Sequence, residues 1–312
     1  MASHSQGAYG QILIEPGASP HTFDSGSYAL QFLSETMTEK GRLIGGEGIG
    51  GGTLQIEAAR IRQGIGFCDG EIVMYLSPND VDFLALNVCG FTESPADTFT
   101  QSDALVYFGL LIDTDYNTFQ FKDCMMNYIE ISARAPAFDE QSEPEMVLCK
   151  LGIRAASCTL GTSWPGTPPS IGTAAADRGY VIQDSDGFFT FVGTARPIQA
   201  FRFRIDRGLY TKYVNSTSAH SQRATMRRNQ IVCQLPWNSD NVDLYNVAVA
   251  GAAGSFKFVN GTLSSLFNLG RCHFPNNTPI IRGKGEVPLN IIGLVTGTGA
   301  TPDVQIVNDN TP

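Results

Sequence analysis

Gly46-Glu47-Gly48-Ile49-Gly50-Gly51 has the G-x-G-x-x-G spacing that cradles a dinucleotide pyrophosphate, and Asp69 lies downstream where a ribose contact would fall. That chemistry needs a buried parallel strand before the glycines and an alternating strand–helix pattern around them. Only Leu43-Ile44 precedes the run, so the segment reads as a flexible loop. Asp113, Asp115 and Asn117 begin with calcium-loop spacing, but Thr118 stands at the required glycine and Cys124 at the closing glutamate. A polar hairpin turn accounts for them better. The four histidines, His4, His21, His220 and His273, have neither HxxE nor HxxxH spacing, and no GxSxG marks a nucleophile. These residues lead to the expectation of no catalytic residues, no cofactor and no metal site.

The most basic pattern is Phe201-Arg202-Phe203-Arg204-Ile205-Asp206-Arg207. On a strand, Phe201, Phe203 and Ile205 face one way while Arg202, Arg204 and Asp206 face the other. Arg223, Arg227 and Arg228 extend it into a candidate basic patch. Contact with nucleic acid is one reading. The net charge of −9 favours another, in which Arg202, Arg204, Arg207, Arg227 and Arg228 pair with acidic residues of a neighbouring subunit.

The elements that must position such a face are strands. Hydrophobic residues make up 42% of the 312 residues and charged ones 16%, below the usual quarter or so for soluble domains. With 33 glycines and 16 prolines, this favours a turn-rich all-β protein with much surface in contacts. The acidic balance argues against gripping phosphates and fits a surface past which nucleic acid slides. The seven cysteines contain no CxxC pair, so neither zinc nor redox chemistry is indicated. No apolar leader or membrane-length run is present, and the reading is a protein made in a reducing cytosol. The N-x-S/T triplets at Asn215, Asn260 and Asn276 are then chance matches.

Strand signals run through Ala104–Ile112, Phe119–Lys122, Met125–Ser132, Glu145–Leu151 and Phe188–Phe191, with Asp186-Gly187 as a hairpin turn. Phe256–Leu263 reads as a second hairpin, and Val287–Val295 and Val304–Ile306 as closing strands. Thr53–Arg62 is the only candidate for a longer helix. Two stretches say nearly the same thing. Ile72-Val73 and Leu76 match Ile231-Val232 and Leu235 at an offset of 159 (231 − 72), and Val81-Asp82, Val88 and Gly90 match Val242-Asp243, Val249 and Gly251 at 161 (242 − 81). Each reads as a strand, a turn and a short helix. Ser77, Pro78 and Asp80 start the first helix and Gly90 ends it; Asn238 or Ser239 caps the second and Gly251 ends it. The reading is a duplicated domain: 1–160 with an N-terminal arm, 161–179 a Gly/Pro-rich linker or loop, and 180–312.

The order of features resembles tail tube (major tail) proteins of tailed bacteriophages. Gly70-Glu71-Ile72-Val73-Met74-Tyr75-Leu76 leads into the helix ending at Val88-Cys89-Gly90, followed by an apolar strand and Asp123–Ile131. Phe201–Asp206 then leads into the second copy, and Gly285-Glu286-Val287-Pro288-Leu289 into the last strands. The resemblance implies an all-β fold of two tandem β-sandwich or incomplete-barrel tail-tube domains, each with one short flanking helix. It implies a structural virion protein and no enzyme. Sheets of neighbouring domains join into rings, and rings stack into a hollow tube that conducts genomic DNA without binding it specifically. Expected partners are the chain itself and other tail proteins, with no membrane. Location is the virion tail, after assembly in the host cytoplasm. Two domains per chain imply a homotrimeric, pseudo-sixfold ring; a homohexamer is the alternative. An acidic lumen is expected, and 45–52 and 161–179 are candidate arms that order when the next ring docks. Rival readings are a jelly-roll capsid or decoration protein, and a β-rich hydrolase or carbohydrate-binding module.

Overall fold

Apolar residues at every second position draw most of the chain into strands, because one face of each leaves water and the other does not. The computed structural model describes residues 10–41, 43–44, 62–63, 66–114, 117–134, 146–161, 163–167, 169, 172, 174–182, 188–212, 221–237, 241, 250–275, 288–298 and 300–309. The first half carries β1 (Gln11–Pro16), β2 (Tyr28–Leu30), β3 (Ser34–Glu35), β4 (Thr38–Lys40), β5 (Leu43–Ile44) and β6 (Arg62–Gln63). Then come β7 (Phe67–Tyr75), α1 (Pro78–Asn87), β8 (Thr92–Glu93), β9 (Thr98–Thr100), β10 (Phe108–Asp113), β11 (Thr118–Arg134), β12 (Leu148–Ala155) and β13 (Ser157–Leu160). The second half carries β14 (Phe189–Phe191), β15 (Thr194–Arg196), β16 (Ala200–Asp206), β17 (Leu209–Lys212) and β18 (Ser221–Ala224). It ends with β19 (Arg228–Pro236), β20 (Ala252–Asn260), β21 (Leu263–His273), β22 (Pro288–Thr296) and β23 (Val304–Asp309).

α1 is the one α-helix among the described residues, and its start follows from local chemistry. Ser77 caps it: the Asp80 amide donates to Ser77 Oγ at 3.2 Å and the Ser77 amide donates to Asp80 Oδ2 at 3.1 Å, a capping box with Pro78 in the first turn. Gly90, with φ 65°, closes the segment. The counterpart predicted after Asn238 lies outside the described residues, as do the 45–52 loop, nearly all of Thr53–Arg62 and the Asp186-Gly187 turn.

β7, β12, β11, β16, β19 and β22 pair antiparallel in that order. The sheet therefore passes from the first half to the second where Tyr128–Arg134 of β11 run against Ala200–Asp206 of β16. The two strands expected at Phe119–Lys122 and Met125–Ser132 are one. Residues 118–124 of β11 pair with β10 and β13, and the later residues with β12 and β16. Asp123, at φ 49°, sits where β11 leaves one set of partners for the other.

The pairing of the first half recurs in the second. β1–β2, β1–β10, β10–β11, β11–β13, β11–β12 and β12–β7 have their counterparts in β14–β15, β14–β20, β20–β21, β21–β23, β21–β22 and β22–β19. β3 and β4 against β7 correspond to β16 against β19, and the hairpin β5–β6 to β17–β18. Even the register shifts agree, falling between Phe108 and Leu110 in one half and between Ala252 and Gly254 in the other.

The pairs fix counterparts residue by residue. Phe108 pairs with Cys124 and Ala252 with Cys272 beside those shifts, so Cys124 matches Cys272 and, one step on, Met125 matches His273. Met125 pairs with Arg154, which pairs with Asp69; His273 pairs with Leu294, which pairs with Gln230. Asp69 thus corresponds to Gln230, an offset of 161 (230 − 69). This is the same offset as the helix match and two residues from the 159 read on the strand. On the paired strands Ile72 answers to Cys233, so the strand correspondence carries the same offset as the sequence match at Val81 and Val242. A two-residue slip keeps apolar positions on apolar positions, which is why the sequence comparison found it.

Inward residues of both halves form one core. Ile72, Met74, Cys149, Leu151, Ile129, Ile131, Phe203, Ile205, Ile231, Cys233 and Ile291 all point into it and are buried. Its densest part is aromatic: Phe256 lies 4.5 Å from Phe201 and 4.4 Å from Phe267, ring centre to ring centre. The end of the predicted 161–179 linker is tied to the first half, where Asn79 Nδ2 donates to Asp177 Oδ1 at 2.7 Å. Tyr180 beyond it is fully buried, its hydroxyl 2.6 Å from Ser265 Oγ.

Candidate functional site

The face and edges of the long sheet are the surfaces to weigh. Strand alternation leaves Glu71, Tyr75, Lys150, Glu130, Arg134, Arg202, Arg204, Asp206, Arg228, Gln230, Asn290 and Ile292 on the side away from the core. This outer face crosses both halves without interruption and mixes charges of both signs.

The β11–β16 junction is its best-built part. Glu130 and Arg204 are register partners, with Glu130 Oε2 3.5 Å from Arg204 Nη1, and the same guanidinium lies 3.0 Å from Asp206 and 3.7 Å from the centre of the Tyr128 ring. Asn127 holds the end of the seam: its carbonyl accepts the Arg207 amide at 2.8 Å and its Oδ1 accepts the Leu209 amide at 2.9 Å. Behind the seam, Asn229 Nδ2 donates to Gln101 Oε1 at 2.8 Å and Gln101 Nε2 donates back to Asn229 Oδ1 at 3.1 Å, both side chains being buried.

Five arginines are expected at subunit contacts, and the structure separates them. Arg207 is 3% exposed; its guanidinium donates to the carbonyls of Ala104 at 2.9 Å, Ser102 at 3.2 Å and Cys89. Burial lowers its pKa from the ordinary arginine value. Arg227 lies 2.7 Å from Asp103 and 2.7 Å from Asp303, bridging the first half to the second. Arg204 is held as described. These three make contacts within the chain. Arg202 and Arg228 are exposed. Strand alternation predicts the outward direction of Arg202 and Arg204, but nothing in the sequence marks Glu130, Asn127, Gln101 or Asp303 as their surroundings. Those partners come from pairings 74 residues apart and more.

The remaining candidates fall apart spatially. The side chain of His21 is buried, its Nε2 accepting the Asp123 amide at 3.2 Å, and burial lowers its pKa. His273 Nε2 lies 3.0 Å from Thr296 Oγ1 on a different part of the sheet. His4 and His220 lie outside the described residues, as does Asp115. Among the described residues no group of His, Cys, Asp or Glu is arranged to hold a metal ion, and no helix is long and apolar enough to cross a membrane. All seven cysteines are free; burial pushes the thiols of Cys89 and Cys272 up to about 12.

Two open hollows flank β4. One, of about 440 Å³, is polar and lined by Thr38, Lys40, Asp69, Glu71, Tyr128 and Arg154, with Lys40 Nζ 3.0 Å from Asp69 and the Tyr128 hydroxyl donating to Glu71. The other, of about 410 Å³, is lined by Met37, Glu39, Ile112, Phe119, Cys158 and Leu160. Both lie along the edge of the sheet where β3 and β4 pair with β7 on one side.

An extended antiparallel sheet with a covered face, an open polar face and, among the described residues, an unfilled edge at β3 and β4 is built to join other sheets. Curated proteins include none that match this chain. A family model described as phage tail tube protein matches residues 6–293, nearly the whole chain. The chain belongs to the phage tail tube protein family.

Proposed function

We propose that three copies of this chain close into a pseudo-sixfold ring, that rings stack into the hollow tail tube, and that genomic DNA passes through it. Membership in the family makes the chain a structural tail component that assembles with itself and with other tail proteins. The finer reading gives each half, 1–160 and 180–312, the role of one tube unit, with 161–179 connecting them. The observation that carries it is the β11–β16 pairing. Two copies of one strand order are fused edge to edge in one sheet, which is how successive units around a ring must meet.

Ring closure has a physical motive, since it supplies partners for the amide and carbonyl groups of sheet edges. The packed layer holding α1 covers one face, so the open face of β7, β12, β11, β16, β19 and β22 is the surface left to line a lumen. The acidic excess expected for a lumen is not found on that face. Of its basic groups, Arg204 is neutralised locally by Glu130 and Asp206. Local pairing of this kind serves passage, because a neutralised guanidinium holds phosphates less strongly than a free one. Negative-stain microscopy of the purified protein tests the reading. Hollow rings or filaments are expected; a dispersed monomer at every concentration and salt would contradict it.

A further inference from the structure

The two halves share a strand plan but not an environment. In the second half, Phe203, Ile205, Phe267 and Ile306 form an apolar face that the first half covers with Val81, Leu84, Cys89, Phe91, Ile129 and Ile131, leaving a void of only about 30 Å³. Strand pairing gives these four residues counterparts in the first half. Thr38 and Arg204 pair with Asp69 and Gln230, so β4 maps onto β16 at an offset of 166 (204 − 38), and Met37 and Glu39 answer to Phe203 and Ile205. Phe119 pairs with Leu160 as Phe267 pairs with Ile306.

Those four counterparts, Met37, Glu39, Phe119 and Leu160, all line the open groove of about 410 Å³. Leu160 is 61% exposed where Ile306 is 6% exposed. The same contrast holds for the backbone. β16 has β19 on one side and β11 on the other, whereas β3 and β4 pair with β7 alone among the described residues. What covers the second-half face is the first half's helix and the end of β11. The counterpart of that covering is a second half, and within one chain the second half lies beyond β16, at the far end of the sheet from β3 and β4.

We infer that the groove lined by Met37, Phe119 and Leu160, with the edge of β3 and β4 that is unpaired among the described residues, receives the second half of another copy of the chain, so that Gly41 meets Pro275 as Arg207 meets Asn127. The inference rests on the ring reading above and adds the site and register of the contact. Glu39 stands where Ile205 stands at the internal seam, and Gly41 where Arg207 stands. A charge at an inward position discourages indiscriminate pairing of an open edge. The internal seam is thus permanent and the seam between copies is made on assembly.

The register places Gly41 of one copy beside Pro275 of the next, as the Arg207 amide lies 2.8 Å from the Asn127 carbonyl. Both residues are exposed, and a Cβ at Gly41 meets nothing within 4 Å. Gly41→Cys with Pro275→Cys, oxidised after assembly, should give a covalent ladder ending in a closed three-copy species that neither single variant gives. Independently, Leu160→Glu should leave the monomer folded and cut the assembled fraction by about tenfold or more. Rings without the ladder, or wild-type assembly of Leu160→Glu, would overturn this contact and leave the tube reading standing. Absence of both rings and ladder in the parent and the variants would overturn the two together.

Discussion

Glu130 and Arg204 face one another across the line where the two halves of the chain become one sheet, their Cα atoms register partners and their charges 3.5 Å apart. Glu130 is largely buried beneath the pair while Arg204 stays partly open to water, so the pair contributes modestly and chiefly sets register. Arg204→Ala should lower stability by about 1 kcal/mol. Arg207→Ala leaves the carbonyls of Cys89, Ser102 and Ala104 without their shared donor and should cost about 2–4 kcal/mol. Urea unfolding monitored by tryptophan fluorescence checks the order; equal losses would contradict it.

The start of α1 offers a second check. Ser77→Ala removes the acceptor for the Asp80 amide and should cost about 1 kcal/mol, whereas Ser77→Asn, which can still cap, should cost only a few tenths. Thermal unfolding by circular dichroism separates the two. A loss of the same size for both would mean that the side chain is not acting as a cap.

Stability should carry a pH signature from Asp82. Burial pushes its carboxyl up to about 6 from the ordinary 3.8, although Asn308 Nδ2 donates to it at 2.7 Å. The folded chain therefore holds this proton more tightly than the unfolded one. The group's contribution is fully present below about pH 4 and is lost as pH rises through about 6. Asp82→Asn, measured against the wild type, should gain in Tm between about pH 4 and pH 7. A constant difference across that window would contradict the assignment.

Sequence reasoning was strongest where the signal was local. Ser77, Pro78, Asp80 and Gly90 define a helix from neighbours a few residues away, and Phe201, Phe203 and Ile205 declare their inward face by alternation alone. The recurrence of one pattern in both halves was legible as well, because Ile72 and Val81 have apolar echoes. Its register was not, since a slip of two residues preserves the inward pattern and only the partners of Asp69 and Gln230 resolve it. Likewise Arg207, in a basic run, reads as surface. Its burial depends on carbonyls more than a hundred residues earlier, and no local pattern encodes those. The edge groove was beyond sequence reasoning for the same reason. Met37, Phe119 and Leu160 become one surface only through pairing.

Thiol accessibility gives a further readout. Cys158 is half-buried while the other six cysteines are buried, and burial pushes its thiol up to about 11. In the unassembled chain at about pH 8 it should react first with a maleimide, though slowly, and in rings it should be protected because it lines the groove. Mass mapping of the labelled peptides checks both statements. Equal labelling of Cys158 before and after assembly would place the groove outside the interface.

The central claim is that one chain supplies two tube units. Counting copies in the assembled ring tests it most directly, by native mass spectrometry of single rings or by the symmetry of averaged end-on images. Three copies per ring, with sixfold features that reduce to threefold at higher detail, are the predicted result. Six copies per ring would contradict the account, because each chain would then supply one unit and its two halves would not be successive members of the ring.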